Sequence, residues 1–156
     1  MAAATDCPRV YVDTTIFMYA MGGESRYRDS CARILRAGAA DRAVLVTSAE
    51  TLQEVLHRFR SIGRDKDIRA AFNAISASVQ HVLPVTAEDV EEARRLGERT
   101  VRGSRSARRS EASARDLVHA AVARRQGLRE ILTVDAGFAA IPGVKVVDPL
   151  EWTDTL

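Results

Sequence analysis

Four acidic residues have the side chains and local surroundings that hydrolytic chemistry needs. Asp13 follows the apolar run VYV and Asp135 follows ILTV, while Glu54 and Asp116 lie in early turns of two predicted helices. Clustered carboxylates repel one another, so they stay ionised only where a cation offsets their charge or where some of them are protonated. Mg²⁺ takes oxygen ligands and keeps several waters, which suits the orientation of water against a phosphodiester. These residues therefore indicate metal-dependent hydrolysis, provided that the fold brings them together.

The elements that must position these acids alternate between short β-branched runs and longer segments of helical period. The predicted strands are 9–12, 43–47, 81–85, 130–134 and 144–147. The predicted helices are 14–20, 27–39, 48–60, 66–80, 87–99 and 113–126. Thr86 with Asp89 is predicted to form a capping box at the start of helix 87–99, and Gly127 to follow the end of helix 113–126. This alternation is typical of an α/β fold with a mainly parallel, five-stranded sheet flanked by helices.

The predicted fold brings the four acids to one edge of the sheet. Ligands of open α/β sheets bind at the carboxyl ends of the strands, where Asp13 and Asp135 fall. Asp116 lies in the first turn of a helix that runs about 15 Å away from this edge of the sheet, and the following strand returns about 16 Å towards it. Asp116 and Asp135 are therefore expected at a similar level. Glu54 lies in the second turn of the helix that follows another strand, near the same edge.

Each acid also has a purely structural interpretation. Asp13 and Asp135 could be N-caps, Asp116 could form a capping box with Ser113, and Glu54 could be a solvated surface residue. Helical phase permits a cleft, because Glu54 and Asp116 point away from the predicted apolar sides of their helices. Those sides are Leu52, Val55, Leu56 and Phe59 in the first helix, and Ala114, Leu117, Val118, Ala121 and Val122 in the second. Capping alone does not explain why all four acids fall at one edge.

Other catalytic signatures are weak. His57, His81 and His119 show no zinc-binding spacing and are predicted to be surface or packing residues. Cys7 and Cys31 match no metal-ligand spacing and are predicted to be free thiols. The chain has no GxGxxG or GKS/T phosphate loop and no GxSxG elbow, which argues against nucleotide binding and acyl transfer.

Length and composition predict a single globular domain covering residues 1–156, with 46% hydrophobic and 28% charged residues. The net charge is only +2, so any attraction to nucleic acid depends on how the charges are arranged. The N-terminus lacks the basic start and apolar run of a signal peptide, and no stretch approaches the ~20 apolar residues that span a bilayer. We therefore expect a cytoplasmic protein with no membrane partner.

Four motifs, VDTTIF, TLQEVLHRF, SARDLVHAAVA and ILTVDAGFAAIPGVKVVDP, occur in this order between Val10 and Pro149. Together they resemble the PIN-domain toxins called VapC, which implies a PIN-like three-layer fold. The implied acidic quartet is Asp13, Glu54, Asp116 and Asp135. Thr15 corresponds to the hydroxyl residue that follows the first acid by two positions, and the TLxEV pattern favours Glu54 over Glu50.

The resemblance also implies an endoribonuclease that depends on Mg²⁺ or Mn²⁺, is usually a homodimer, and is held inactive by a VapB-like antitoxin protein. In the expected reaction an RNA phosphodiester is hydrolysed. Asp13, Asp116 and Asp135 would hold the metal, and Glu54 and Thr15 complete the catalytic set, with Glu54 ordering the attacking water or a second ion.

Two further segments suggest partners. The Arg-rich stretch before the second acidic helix is either a phosphate clamp for RNA or a solvated loop, and its residues are Arg102, Arg105, Arg108 and Arg109. Aromatic residues are few, at 5%, so we expect recognition of a structured RNA by shape and backbone. The first helix is apolar on more than one face, so it is either a core helix or partly covered by a second subunit or the antitoxin.

Two alternative functions fit parts of the sequence. A phosphatase with an aspartyl nucleophile also places an Asp after its first strand, but it needs a second Asp where Thr15 stands. A PIN-like binding or regulatory module that has lost its chemistry would keep the fold, although the presence of all four acids counts against it.

Overall fold

The computed structural model describes residues 7–103 and 111–156, with the backbone alone at 101–103. The described residues form five strands: β1 (Arg9–Val12), β2 (Val44–Ser48), β3 (His81–Leu83), β4 (Glu130–Leu132) and β5 (Lys145–Val147). They also form seven α-helices: α1 (Thr14–Met21), α2 (Arg28–Ala39), α3 (Ala49–Ser61), α4 (Ile68–Ser78), α5 (Ala87–Gly103), α6 (Ala114–Arg125) and α7 (Pro149–Trp152). Short 3₁₀ turns cover Asp65–Asp67, Ala136–Ala140 and Thr153–Thr155.

The sheet is parallel throughout, with the order β3-β2-β1-β4-β5. β1 pairs with β2 on one side and with β4 on the other, so that Tyr11 lies opposite both Val46 and Ile131. The chain therefore builds the sheet from β1 towards β3 and then adds β4 and β5 on the other side. α/β sheets bind ligands at the carboxyl ends of strands where the order reverses in this way, and Asp13 and Asp135 follow the two strands concerned.

Side chains of the sheet alternate between two apolar layers. Val10 and Val12 pack on one face with residues of α1, α2, α3, α4 and α7. Tyr11 points to the opposite face, where the buried residues of α5 and α6 pack. The predicted α/β fold with a five-stranded sheet between helical layers is confirmed.

Predicted capping signals are present at the ends of two helices. Thr86 and Asp89 form the expected capping box at the start of α5, with the Thr86 N–H donating to Asp89 Oδ2 at 2.9 Å. Gly127 follows α6 with φ +70°, the left-handed conformation that glycine adopts most easily after a helix. Local sequence therefore sets both boundaries.

The predicted apolar sides of α3 and α6 are wrong in part. Leu56 of α3 is 41% exposed, and the buried side of this helix consists of Thr51, Val55 and Phe59. In α6, Ala114 is exposed, whereas the side predicted to face away from the core is buried at Asp116, Ala120 and Ala123. This helix is covered by the sheet, by α5 and by the site region together, so its buried surface is wider than one stripe.

The thiols of Cys7 and Cys31 are both free, as predicted. Within the ranges 7–103 and 111–156, no helix combines the length and the apolar character needed to cross a bilayer.

In α1, Ile16 and Phe17 are fully buried, while Met18, Tyr19 and Met21 are partly buried against the same core. The first helix is thus a core helix with a partly exposed apolar flank.

The Asp89 carboxylate joins α5 to α6 and gives a pH-dependent prediction. It is 2% exposed and accepts hydrogen bonds from Arg125 Nε at 2.8 Å and Arg125 Nη2 at 3.0 Å. Burial alone would raise the pKa of Asp89, but the hydrogen bonds from Arg125 and Thr86 outweigh it and hold the pKa below its usual range. Protonation therefore favours the unfolded chain, so the stability gained from Asp89 is present at neutral pH and is lost as the pH falls below about 4.

Asp89→Asn should lower the free energy of unfolding by about 1–2 kcal/mol at pH 7 and by much less at pH 3, as measured by urea unfolding at both values. Glu91→Gln is the matched control, because Glu91 lies on the same helix and pairs with Arg94 but is exposed. Equal losses for Asp89→Asn at the two pH values would contradict the assigned ion pair.

Candidate active site

Asp13 is held rigidly at the carboxyl end of β1. It is 3% exposed and caps α1, and its Oδ2 accepts hydrogen bonds from Thr15 Oγ1 at 2.8 Å and from Thr133 Oγ1 at 2.8 Å. The Thr15 hydroxyl also accepts from the N–H of Val134 at 3.2 Å, which ties the start of α1 to the chain after β4. Because Oδ2 carries these bonds, Oδ1 is the oxygen that faces the other polar side chains of the site, with His119 Nε2 at 3.7 Å.

Glu54 reaches the same region from α3. Its Oε1 lies 2.6 Å from His119 Nε2 and accepts a hydrogen bond from Thr14 Oγ1 at 3.1 Å. The Glu54 side chain is 19% exposed and is therefore not a freely solvated surface group. One ligand atom each from Asp13, Glu54 and His119 lie within 4.8 Å of one another.

Asp116 and Asp135 approach each other around Gly137. Asp116 closes a capping box with Ser113, whose N–H donates to Asp116 Oδ2 at 2.7 Å. Asp135 Oδ1 accepts from the Gly137 N–H at 2.8 Å. A Cβ added to Gly137 would sit 3.0 Å from Asp116 Oδ2 and 3.1 Å from Asp135 Oδ1, so the two oxygens flank the same point. Glycine leaves the space between these carboxylates open.

The charges of the acids affect one another. Burial raises the pKa of Asp116, and the negative charges of Asp135 and Asp13 raise it further, against the hydrogen bonds from Ser113 that lower it. Burial alone would raise the pKa of Glu54, but the hydrogen bond and charge of His119 outweigh it and hold the pKa below its usual range. Negative charge is therefore compensated at Glu54 and only in part at Asp116.

The donor set fits a hard divalent cation. Asp116 is buried among like charges, and carboxylate oxygens are the ligands that such a cation prefers. His119 does not fit as a ligand in this arrangement. Its Nε2 is 2.6 Å from Glu54 Oε1, a hydrogen-bond distance that puts the Nε2 proton where a bound ion would have to be. Ligand atoms of Asp13 and Glu54 lie within 4.8 Å of each other, and the charges of Asp13 and Asp135 reach Asp116, so these carboxylates are the groups that could hold such an ion.

A cavity of about 690 Å³ opens beside these acids, between α1 and α3. Thr15 and Glu54 line it at the site, and Met18, Tyr19 and Ile62 are among its apolar residues. Positive charge comes from Arg58, Arg64 and Arg115, against one further acid, Glu24. We call this cavity the α1–α3 groove.

Two residues of this site were not predicted. His119 was expected to be a surface or packing residue; it is fully buried, and its hydrogen bond to Glu54 was not predicted. Its position one helical turn after Asp116 was the available signal, since residues three apart share a helix face. Thr133, which bonds Asp13, gave no signal beyond its place in a strand. Arg105, Arg108 and Arg109 lie outside the described residues, as does the side chain of Arg102.

A profile of the PIN domain family matches residues 10–144. Ribonuclease VapC13 of Mycobacterium tuberculosis is 35% identical over 136 residues, which cover 87% of this chain and 97% of the relative. The chain therefore belongs to the PIN domain family, in its VapC branch.

Solved structures show the same fold. The DNA-bound VapBC of Salmonella typhimurium matches with a TM-score of 0.67 and 15% identity, over 91% of this chain and 98% of that one. VapC20 of Mycobacterium tuberculosis, a Sarcin-Ricin loop cleaving toxin, matches with a TM-score of 0.62 and 25% identity, over 84% of this chain and 93% of that one.

Proposed function

We propose that this protein is a toxin of a toxin-antitoxin pair and acts as an endoribonuclease that depends on Mg²⁺ or Mn²⁺. The observation that carries the proposal is the meeting of two pairs of acids at one edge of a PIN-family sheet. Asp13 and Glu54 form one pair, and Asp116 and Asp135 form the other around Gly137. The relatives that match most of this chain are named ribonucleases, which supports the same reaction class.

In this proposal each acid has a distinct role. Asp13, Asp116 and Asp135 would hold the metal, and Thr15 orients Asp13 by donating to its Oδ2. The cation would supply positive charge that offsets the phosphate and activates a water. Glu54 orients the attacking water or takes its proton, because one of its oxygens is fixed by His119 and Thr14 while the side chain keeps some exposure.

Partners follow from the relatives. The solved neighbours include VapBC assemblies, so we propose that a VapB-like antitoxin neutralises this chain and that the toxin is a homodimer built from a single domain spanning residues 1–156. We expect it to act in the cytoplasm, where its two cysteines would stay reduced.

The direct test is cleavage of an RNA that folds into the Sarcin-Ricin loop, chosen because VapC20 is named for that substrate. The purified chain should cleave this RNA, or a panel of other structured RNAs, with Mg²⁺ or Mn²⁺ present. It should lose activity in a chelator and regain it when either ion is restored. Absence of metal-dependent cleavage across the panel, by a protein shown to be folded, would contradict the proposal and favour an inactive regulatory module.

The α1–α3 groove predicts where the RNA backbone binds. Arg58 and Arg115 line it, and neither forms an ion pair with another described residue, so both guanidinium groups are available to phosphates. Replacing both by Ala should weaken RNA binding about tenfold or more and reduce the slope of log affinity against log salt by about one for each Arg. Fluorescence anisotropy at several salt concentrations measures both quantities.

Arg124→Ala with Arg129→Ala is the matched control, because these residues line a cavity with Gly127 and Gly143, beyond the opposite ends of the strands. This pair removes the same charge and should leave the slope nearly unchanged. Equal slopes for the two double variants would mean that RNA does not lie in the α1–α3 groove.

A further inference from the structure

A row of buried hydrogen-bonding side chains runs from the core to the site. Tyr11 OH lies 2.9 Å from Ser48 Oγ and 2.7 Å from His119 Nδ1. The opposite ring nitrogen, His119 Nε2, lies 2.6 Å from Glu54 Oε1. The four residues come from β1, the end of β2, α6 and α3, so the row joins four separate elements.

Packing alone does not require these side chains. Tyr11 is fully buried among apolar residues of the layer that includes Leu96 and Phe138, where a phenylalanine would fill almost the same volume. Burying a phenol, an imidazole and a hydroxyl together costs free energy unless each finds partners. Within the described residues every buried side-chain nitrogen and oxygen does have one, so the row is complete and leads to Glu54.

Counting hydrogens fixes the role of His119. Tyr11 has one hydroxyl hydrogen and two neighbours, so it donates either to His119 Nδ1 or to Ser48 Oγ. In the first case Nδ1 accepts, and the ring proton must be on Nε2. In the second case Nδ1 donates to Tyr11, and Nε2 must also carry a proton, because a bare nitrogen lone pair would repel a carboxylate oxygen at 2.6 Å. Both arrangements have Nε2–H donating to Glu54.

The two oxygens of Glu54 are consequently unequal. Oε1 accepts from His119 and from Thr14 Oγ1, whereas Oε2 accepts no hydrogen bond from a described residue. We propose that His119 is a positioning residue, oriented by Tyr11, that fixes Glu54 through Oε1 so that Oε2 faces the attacking water. This inference rests on the proposed function, because it assigns the orientation of the group that handles the water.

The test compares two replacements of His119. His119→Leu fills the space without a donor, and it should lower kcat about 10- to 100-fold while changing KM by less than about threefold. His119→Gln keeps an N–H that can reach Glu54, and it should recover most of kcat. Tyr11→Phe should lower kcat less than His119→Leu, because it releases the ring without removing the donor. His81→Leu replaces an exposed histidine and is the matched control.

A double variant separates positioning from packing. If His119 acts only through Glu54, adding His119→Leu to Glu54→Gln should slow cleavage no further than Glu54→Gln alone. Additive losses, or wild-type kcat in a folded His119→Leu protein, would overturn the inference.

A measurement without RNA keeps the inference testable if the wild-type protein cleaves nothing. In ¹⁵N-histidine-labelled protein, NMR should show His119 protonated at Nε2, with its Nε2–H signal shifted by Glu54→Gln and its Nδ1 signal shifted by Tyr11→Phe. An unprotonated Nε2 would refute the inference whatever the activity. Absence of cleavage with the expected NMR pattern would refute only the proposed function.

Discussion

Asp116→Asn should abolish most RNA cleavage and leave the protein at least as stable as the wild type. The substitution removes one of the charges that a bound cation needs, and the loss of several kcal/mol of transition-state stabilisation corresponds to about a thousandfold in kcat/KM. Stability should not fall, because the pKa of Asp116 is raised by burial and by the charges of Asp135 and Asp13. Removing a carboxylate from that environment relieves repulsion, and the amide oxygen can still accept from the Ser113 N–H.

Two measurements check this prediction. Cleavage rates at saturating Mg²⁺ give the loss of activity, and thermal unfolding with and without Mg²⁺ shows whether the ion still raises Tm, as it should for the wild type. Asp89→Asn is the matched control, since Asp89 is also a buried capping-box carboxylate. We expect it to lose stability and keep its activity, the reverse of Asp116→Asn. Wild-type cleavage by Asp116→Asn would remove Asp116 from the candidate site.

Gly38→Ala should cause a large loss of stability. Gly38 lies on the buried side of α2, and a Cβ there would sit 2.1 Å from the carbonyl oxygen of Ser78 and 2.6 Å from Leu45 Cδ1. The carbonyl belongs to the backbone at the end of α4, so it cannot move aside as a flexible side chain can. Overpacking of this severity should cost about 3 kcal/mol or more, despite the better helix propensity of alanine.

Thermal unfolding should show a fall in Tm of about 6–12 °C for that loss in a chain of this length. Gly23→Ala is the matched control, because a Cβ at Gly23 would meet nothing within 4 Å. Similar Tm values for the two variants would contradict the close packing of α2 against the end of α4.

The sequence predicted the fold well because its signals are local. A short β-branched run that is buried on both faces marks β1, and the Thr86–Asp89 capping box and Gly127 mark helix ends. The largest boundary error was at the end of the predicted helix 87–99, which extends to Gly103. The predicted helix 66–80 was too long at both ends, since the structure has Ile68–Ser78. The Gln80 side chain accepts from the Leu45 N–H and donates to the Gly38 carbonyl, contacts over 35 and 42 positions that helical periodicity cannot reveal.

The candidate site was less predictable than the fold. From the sequence, capping and catalysis are alternative roles for these acids. In the structure, Asp13, Asp116 and Asp135 all cap local turns and also lie at the sheet edge. The role of His119 depends on Glu54, which is 65 positions earlier in the chain, and on Tyr11, which is 108 positions earlier. A single sequence does not reveal such distant pairs. The assignment of Asp13, Thr15, Glu54, Asp116 and Asp135 as catalytic residues stays a prediction.

Gly137 has no Cβ, so adding a methyl group there should lower the activity without replacing any acid. Gly137→Ala would place a Cβ 3.0 Å from Asp116 Oδ2 and 3.1 Å from Asp135 Oδ1, so that every carboxylate remains while these two oxygens must shift. Such a variant would keep the electrostatic surface that an RNA meets on arrival. Gly137→Ala would therefore be better suited to trapping uncleaved RNA on the protein than replacement of an acid. Replacing an acid changes the electrostatic interaction between the protein and the RNA.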